Sequence, residues 1–143
     1  MLNRNRQKKR VREEDLVSDR ELVKVITDFL EMGHVENIIA MYKQQPRYYE
    51  LLDLLLADER FAVRLGVAVI MEELQALRPD ETTRALPALA RAIKHKNPMV
   101  RGEAANILSI INSPEALSLV GSLVDDPSAQ VREIVLDIME QDG

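Results

Sequence analysis

The chain has 143 residues, 46% apolar and 3% aromatic with no Trp, enough for one domain whose core is filled by Leu, Ile, Val, Ala and Met. It contains no Cys, which excludes disulfide staples, a thiolate nucleophile and Cys-based zinc or iron–sulfur sites. The formal charge of −5 conceals an asymmetry: residues 4–12, RNRQKKRVR, hold six of the nineteen basic side chains, so this stretch carries +6 and the remainder about −11, a body that repels a phosphate backbone.

Residues 1–12 lack apolar periodicity and are expected to be a disordered basic tail, its charges being Arg4, Arg6, Lys8, Lys9, Arg10 and Arg12. Residues 13–143 are expected to form a single domain. Its first helix is predicted from Glu13 to Met32, where Leu16, Val17, Leu22, Val23, Ile26, Phe29 and Leu30 recur at helical intervals until Gly33. A second runs from His34 or Val35 to Lys43 and is stopped by Pro46, so 13–44 reads as a degenerate N-terminal cap pair.

Three clearer helix pairs follow, over 47–77, 83–111 and 115–141. In the first, Arg47 to Ala57 is a short helix, Asp58-Glu59-Arg60 a turn and Phe61 to Leu77 a longer helix. In the second, Thr83 to His95 carries Pro87 in its opening turns, Lys96-Asn97-Pro98 is the turn and Met99 to Ile111 the partner helix. In the third, Glu115 to Val124 precedes the turn Asp125-Asp126-Pro127-Ser128 and the helix Ala129 to Gln141. No apolar run approaches the roughly 20 residues of a membrane span. No apolar h-region follows the basic stretch, so a cytoplasmic location is expected.

The pairs share a register. Val63-Arg64, Val100-Arg101 and Val131-Arg132 each stand just inside the second helix, 37 and 31 residues apart, a period that means an all-α solenoid of about four antiparallel helix pairs. Three residues after each Arg stand Val67, Ala104 and Val135; six after, Ile70, Ile107 and Ile138; seven after, Met71, Leu108 and Met139. These are the expected core stripe. Offsets of five and eight give Val69, Asn106, Asp137 and Glu72, Ser109, Glu140 on the alternate face, where binding can be written.

These residues resemble HEAT-like repeats of the compact kind found in phycocyanobilin lyase subunits and small bacterial α-solenoids. The clearest copy of the motif is Asn97-Pro98-Met99-Val100-Arg101-Gly102-Glu103-Ala104-Ala105, followed by Asp126-Pro127-Ser128-Ala129-Gln130-Val131-Arg132, and the resemblance covers 47–141. It implies that second helices line the concave side and that Arg64, Arg101 and Arg132 are structural, with Asp58 and Asp126 as their partners. Because His95-Lys96-Asn97 offers no turn carboxylate, the Asp–Arg ladder is expected to break at the middle copy.

No catalytic constellation is present, and no cofactor or metal is expected. His34 follows a helix-ending Gly and His95 sits between lysines; neither has companions at ligand spacing. Acidic pairs such as Glu72-Glu73 lack a companion nucleophile. Tyr42, Tyr48 and Tyr49 are expected to fill the core where the cap meets the first repeat. The last helix spreads its apolar residues over more than one face, so Ile134, Leu136 and Met139 are candidates for a self-association interface. The leading functional expectation is a non-catalytic scaffold that holds a protein segment against Leu65, Val69, Glu72, Asn106, Ser109, Asp137 and Glu140. The alternatives are a bilin lyase-like chaperone subunit, which the resemblance implies, or a binder of nucleic acid or anionic surfaces through the tail.

Overall fold

The computed structural model describes residues 19–142; the tail charges Arg4, Arg6, Lys8, Lys9, Arg10 and Arg12 and the start of the predicted first helix lie outside them. The described residues are helical and contain no strand. Helix α1 occupies residues 19–31 and buries Ile26 and Leu30. Its end is a Schellman turn: Gly33 sits at φ +85, its N–H donates to the Leu30 carbonyl, and the His34 N–H donates to the Phe29 carbonyl. The reversed chain enters α2, Val35–Gln44, which buries Ile38, Ile39 and Tyr42.

The first helices of the repeats depart from the expected continuous spans. Pro46–Leu51 is a 3-10 turn leading into α3, Leu52–Leu56. Ahead of the second repeat, α5 (Pro79–Thr82) and a 3-10 turn (Thr83–Ala85) precede α6, Leu86–Ala92. Pro87 lacks an N–H, so the ladder of α-helical bonds restarts at Leu86, where a first-turn proline costs nothing. Helix α8 is Pro114–Gly121, and its tail to Val124 tightens through bonds from Leu123 and Val124 to the carbonyls of Val120 and Gly121.

The second helices follow their pattern closely: α4 is Phe61–Leu77, α7 Pro98–Ile111 and α9 Ala129–Asp142. Asn97 caps α7 by accepting from the Met99 N–H at 2.9 Å, and Pro98 occupies its first position. Asn112, at φ 55, ends the helix in the left-handed region. Helices α4, α7 and α9 stack side by side as one layer, with α3, α6 and α8 as the other. Between them lie Leu52, Leu55, Val67, Ile70, Leu89, Ile107, Val120 and Val135.

Close approach of neighbouring helices to α4 and α7 needs small residues. A methyl group on Gly66 would meet the Leu30 side chain at 3.0 Å, and one on Gly102 would meet Ile134 Cδ1 at 2.9 Å. The predicted core stripe holds except at its end: Met71 and Leu108 are buried, but Met139 is 46% exposed. In this layer α7 follows α4 and α9 follows α7, and among the described residues no helix follows α9. Tyr42 and Tyr49 are buried edge to face, 5.1 Å between centroids, and Tyr48 packs on Tyr42 at 5.9 Å. Burial pushes the Tyr49 hydroxyl up to about 12 and that of Tyr42 higher still.

Candidate protein-interaction surface

The motif arginines share one anchor. Each donates through Nη1 to carbonyls of its own turn: Arg64 to Asp58 and Glu59 at 3.1 and 2.9 Å, Arg101 to His95 and Lys96 at 2.9 and 3.1 Å, and Arg132 to Asp126 at 2.6 Å. The rest of the Arg101 guanidinium points onward to the next repeat. Its Nε and Nη2 grip both carboxylate oxygens of Asp126 at 2.8 and 2.9 Å, in a largely buried pair. That pair holds the Asp126 carboxyl below the usual carboxylate range.

This corrects the expected ladder. The middle arginine, Arg101, has a carboxylate, whereas Arg64 and Arg132 do not take the carboxylates of Asp58 and Asp126. The acceptor position lies six residues before the next motif Arg, not before its own. For Arg64 that position is His95, and Arg64 Nε is buried without a hydrogen-bond partner among the described residues. The turns themselves are alike: Asp58 Oδ1 accepts from the Arg60 N–H, His95 Nδ1 from the Asn97 N–H and Asp126 Oδ1 from the Ser128 N–H.

The Asp58 carboxylate is instead held by Arg60, through Nε and Nη2 at 3.0 Å each, and this first of all lowers its pKa. Nη1 of Arg60 reaches Asp28 and Glu31 on α1 at 3.1 and 2.7 Å. Arg60 therefore clasps the cap to the first repeat, a role its position in a turn did not signal. On the opposite layer Arg91 of α6 makes an ion pair with Asp53 of α3 at 3.0 Å.

With its three arginines engaged in turns, the second-helix layer presents charge of one sign. Glu72, Glu73, Glu103, Glu133, Asp137 and Glu140 are partly or fully exposed, and none makes an ion pair among the described residues. Beside them α4 displays an apolar stripe, Phe61, Leu65 and Val69, at 67, 53 and 37% exposure. Asn106 is exposed and Ser109 half-exposed, its hydroxyl donating to the Asn106 carbonyl. The expected partner-binding positions Leu65, Val69, Glu72, Asn106, Ser109, Asp137 and Glu140 are thus each exposed or half-exposed on α4, α7 and α9. Phe61, Glu73 and Glu103 are exposed or half-exposed beside them in sequence; the spacing of Phe61, Leu65 and Val69 at four residues is the signal that marks the first of them.

Between α6 and α8, on the other layer, runs an open groove of about 840 Å³ lined mainly by apolar side chains including Leu86, Pro87, Pro114 and Leu119. Its one charged lining residue is Glu115, so it offers no cation to the propionates of a bilin. His34 is exposed and packs edge-on to Phe29. Among the described residues no three His, Asp or Glu are grouped to hold a metal, and no helix is long and apolar enough to cross a membrane. Of the candidate terminal interface, Leu136 and Met139 are half-exposed and Ile134 is packed against Gly102.

In comparison with known proteins, the family model described as HEAT repeats matches residues 49–139, well over half of the chain. No curated protein and no solved structure matches.

Proposed function

The chain belongs to the HEAT-repeat family, and from that premise we propose that it is a non-catalytic scaffold whose second-helix surface holds a basic, amphipathic segment of a partner protein. HEAT repeats generally act as protein-interaction scaffolds. The observation that supports it is the separation of charge: α4 carries the stripe of Phe61, Leu65 and Val69 together with Glu72 and Glu73, α7 and α9 add four more carboxylates without ion-pair partners among the described residues, and the layer's three motif arginines are tied into its turns. An amphipathic helix with an apolar ridge and lysines or arginines beside it is complementary to that surface in shape and sign.

The test is a titration of a fluorescent helical peptide bearing Leu at i, i+3, i+4 and i+7 and Lys between them. Binding is expected to weaken with salt and to fall by about tenfold in Leu65→Asp and in the pair Glu72→Lys, Glu73→Lys. Glu115→Lys, on the opposite layer, should leave it unchanged. Equal binding by all of these proteins would defeat the reading.

A further inference from the structure

We propose that the face of α9 turned away from α7 is a self-association surface, on which a second copy of the chain packs its own α9 antiparallel about Leu136. This surface is centred on Leu136 and shares only its rim, Glu133 and Glu140, with the acidic one assigned to the partner segment. On α7, Arg101 reaches Asp126 just before α9, Gly102 approaches Ile134 of α9, and Ala105 and Leu108, one and two turns on, are buried. The same positions on α9 are Arg132, Glu133, Leu136 and Met139. Leu136 and Met139 are 52 and 46% exposed, and among the described residues Arg132 has only a backbone carbonyl where Arg101 also has a carboxylate. The face therefore repeats the register of the α7 face beside which α9 stacks, with Leu136 and Met139 in place of Ala105 and Leu108 and with Glu133 in place of Gly102.

Its charge selects the occupant. Arg132 stands one turn before Leu136 and Glu140 one turn after it, about 12 Å apart along the axis. Two antiparallel copies related by a twofold axis at Leu136 bring Arg132 of each opposite Glu140 of the other, and Leu136 and Met139 of both into the centre. A parallel pairing would oppose like charges instead.

The experiment is light scattering behind a sizing column on the full chain and its variants. A dimer is expected, and the pair Leu136→Glu, Met139→Glu should be monomeric; both side chains are surface-exposed, so folding is spared. Arg132→Glu alone and Glu140→Arg alone should each be monomeric, since the first chain presents only carboxylates at the two positions and the second only guanidiniums. Mixed in equal amounts, these two proteins should form a heterodimer, a recovery that misfolded chains would not show. A monomeric native chain, a dimer indifferent to the Leu136 and Met139 changes, or a mixture that stays monomeric would each overturn the proposal.

Discussion

Arg101 and Asp126 are joined by two hydrogen bonds of 2.8 and 2.9 Å, and Asp126 holds the place before Arg132 that His95 holds before Arg101. The junction between α7 and α9 is thus tied by a charged pair, and the junction between α4 and α7 meets an imidazole at the corresponding point. The difference lies in one residue, because the His95 ring already accepts from the Asn97 N–H as an aspartate would.

His95→Asp should therefore stabilise the protein. The new carboxylate keeps the turn bond with one oxygen and offers the other to Arg64 Nε, a gain of about 1 kcal/mol and roughly 2–4 °C in Tm for a chain of this size. His95→Ala, which removes the turn acceptor without supplying a carboxylate, should lower Tm. Paired thermal melts decide the matter, and equal shifts for both substitutions would refute the equivalence of the two positions.

Acid should weaken the fold through Asp126 and Asp58. Their arginine partners depress both carboxyls in the folded state, so their contribution is complete above the ordinary carboxylate pKa of about 4 and is lost as pH falls through the lower folded values. Asp126→Asn should cost about 2 kcal/mol at neutral pH by leaving the Arg101 fork half-satisfied. It should also flatten the acid limb of stability against pH, measured by urea unfolding across the range.

The two glycines of the second layer should respond oppositely to Ala. At either site the helix gains about 1 kcal/mol of propensity. At Gly102 the obstacle is the tip of Ile134, a half-buried side chain able to rotate away, so Gly102→Ala should be neutral or mildly stabilising. At Gly66 the added methyl meets Leu30 at its Cβ, Cγ and Cδ2, and Leu30 is buried, so Gly66→Ala should destabilise by about 1 kcal/mol. Denaturant midpoints of the two variants provide the comparison.

Arg60→Ala should loosen the cap and leave the far repeats untouched. The side chain spans Asp58, Asp28 and Glu31, so amide exchange over residues 19–31 should quicken while that of α7 and α9 stays as before. Uniform acceleration along the chain would show that Arg60 supports the whole fold instead.

Much of the architecture is legible in the sequence because it rests on local, repeated signals. Val-Arg after a turn and an apolar residue every three or four positions place α4 at Phe61–Leu77, and Asn97-Pro98 and Ser113-Pro114 mark helix starts that their cap bonds explain. The first helices are less legible, since 3-10 and α segments share the same apolar spacing over so few residues. The ladder escapes a local reading because its partners lie in different repeats: nothing near Arg101 announces Asp126, 25 residues on. The exposure of Met139 reflects place in the stack rather than helix pattern, and Leu108 in the equivalent position is buried.

Unequal ties between neighbours also govern how such an array comes apart. In a one-dimensional lattice, each boundary carries its own coupling energy, and a melting front advancing from either end halts where coupling is strong and runs where it is weak. Here the α7–α9 boundary is reinforced by Arg101 and Asp126 and the cap boundary by Arg60, whereas the α4–α7 boundary has no such ionic bond through Arg64. The first and second repeats are tied instead on the opposite layer, where Arg91 of α6 grips Asp53 of α3, so a melting front meets an ionic bond at each of these boundaries and the array is braced now on one face, now on the other.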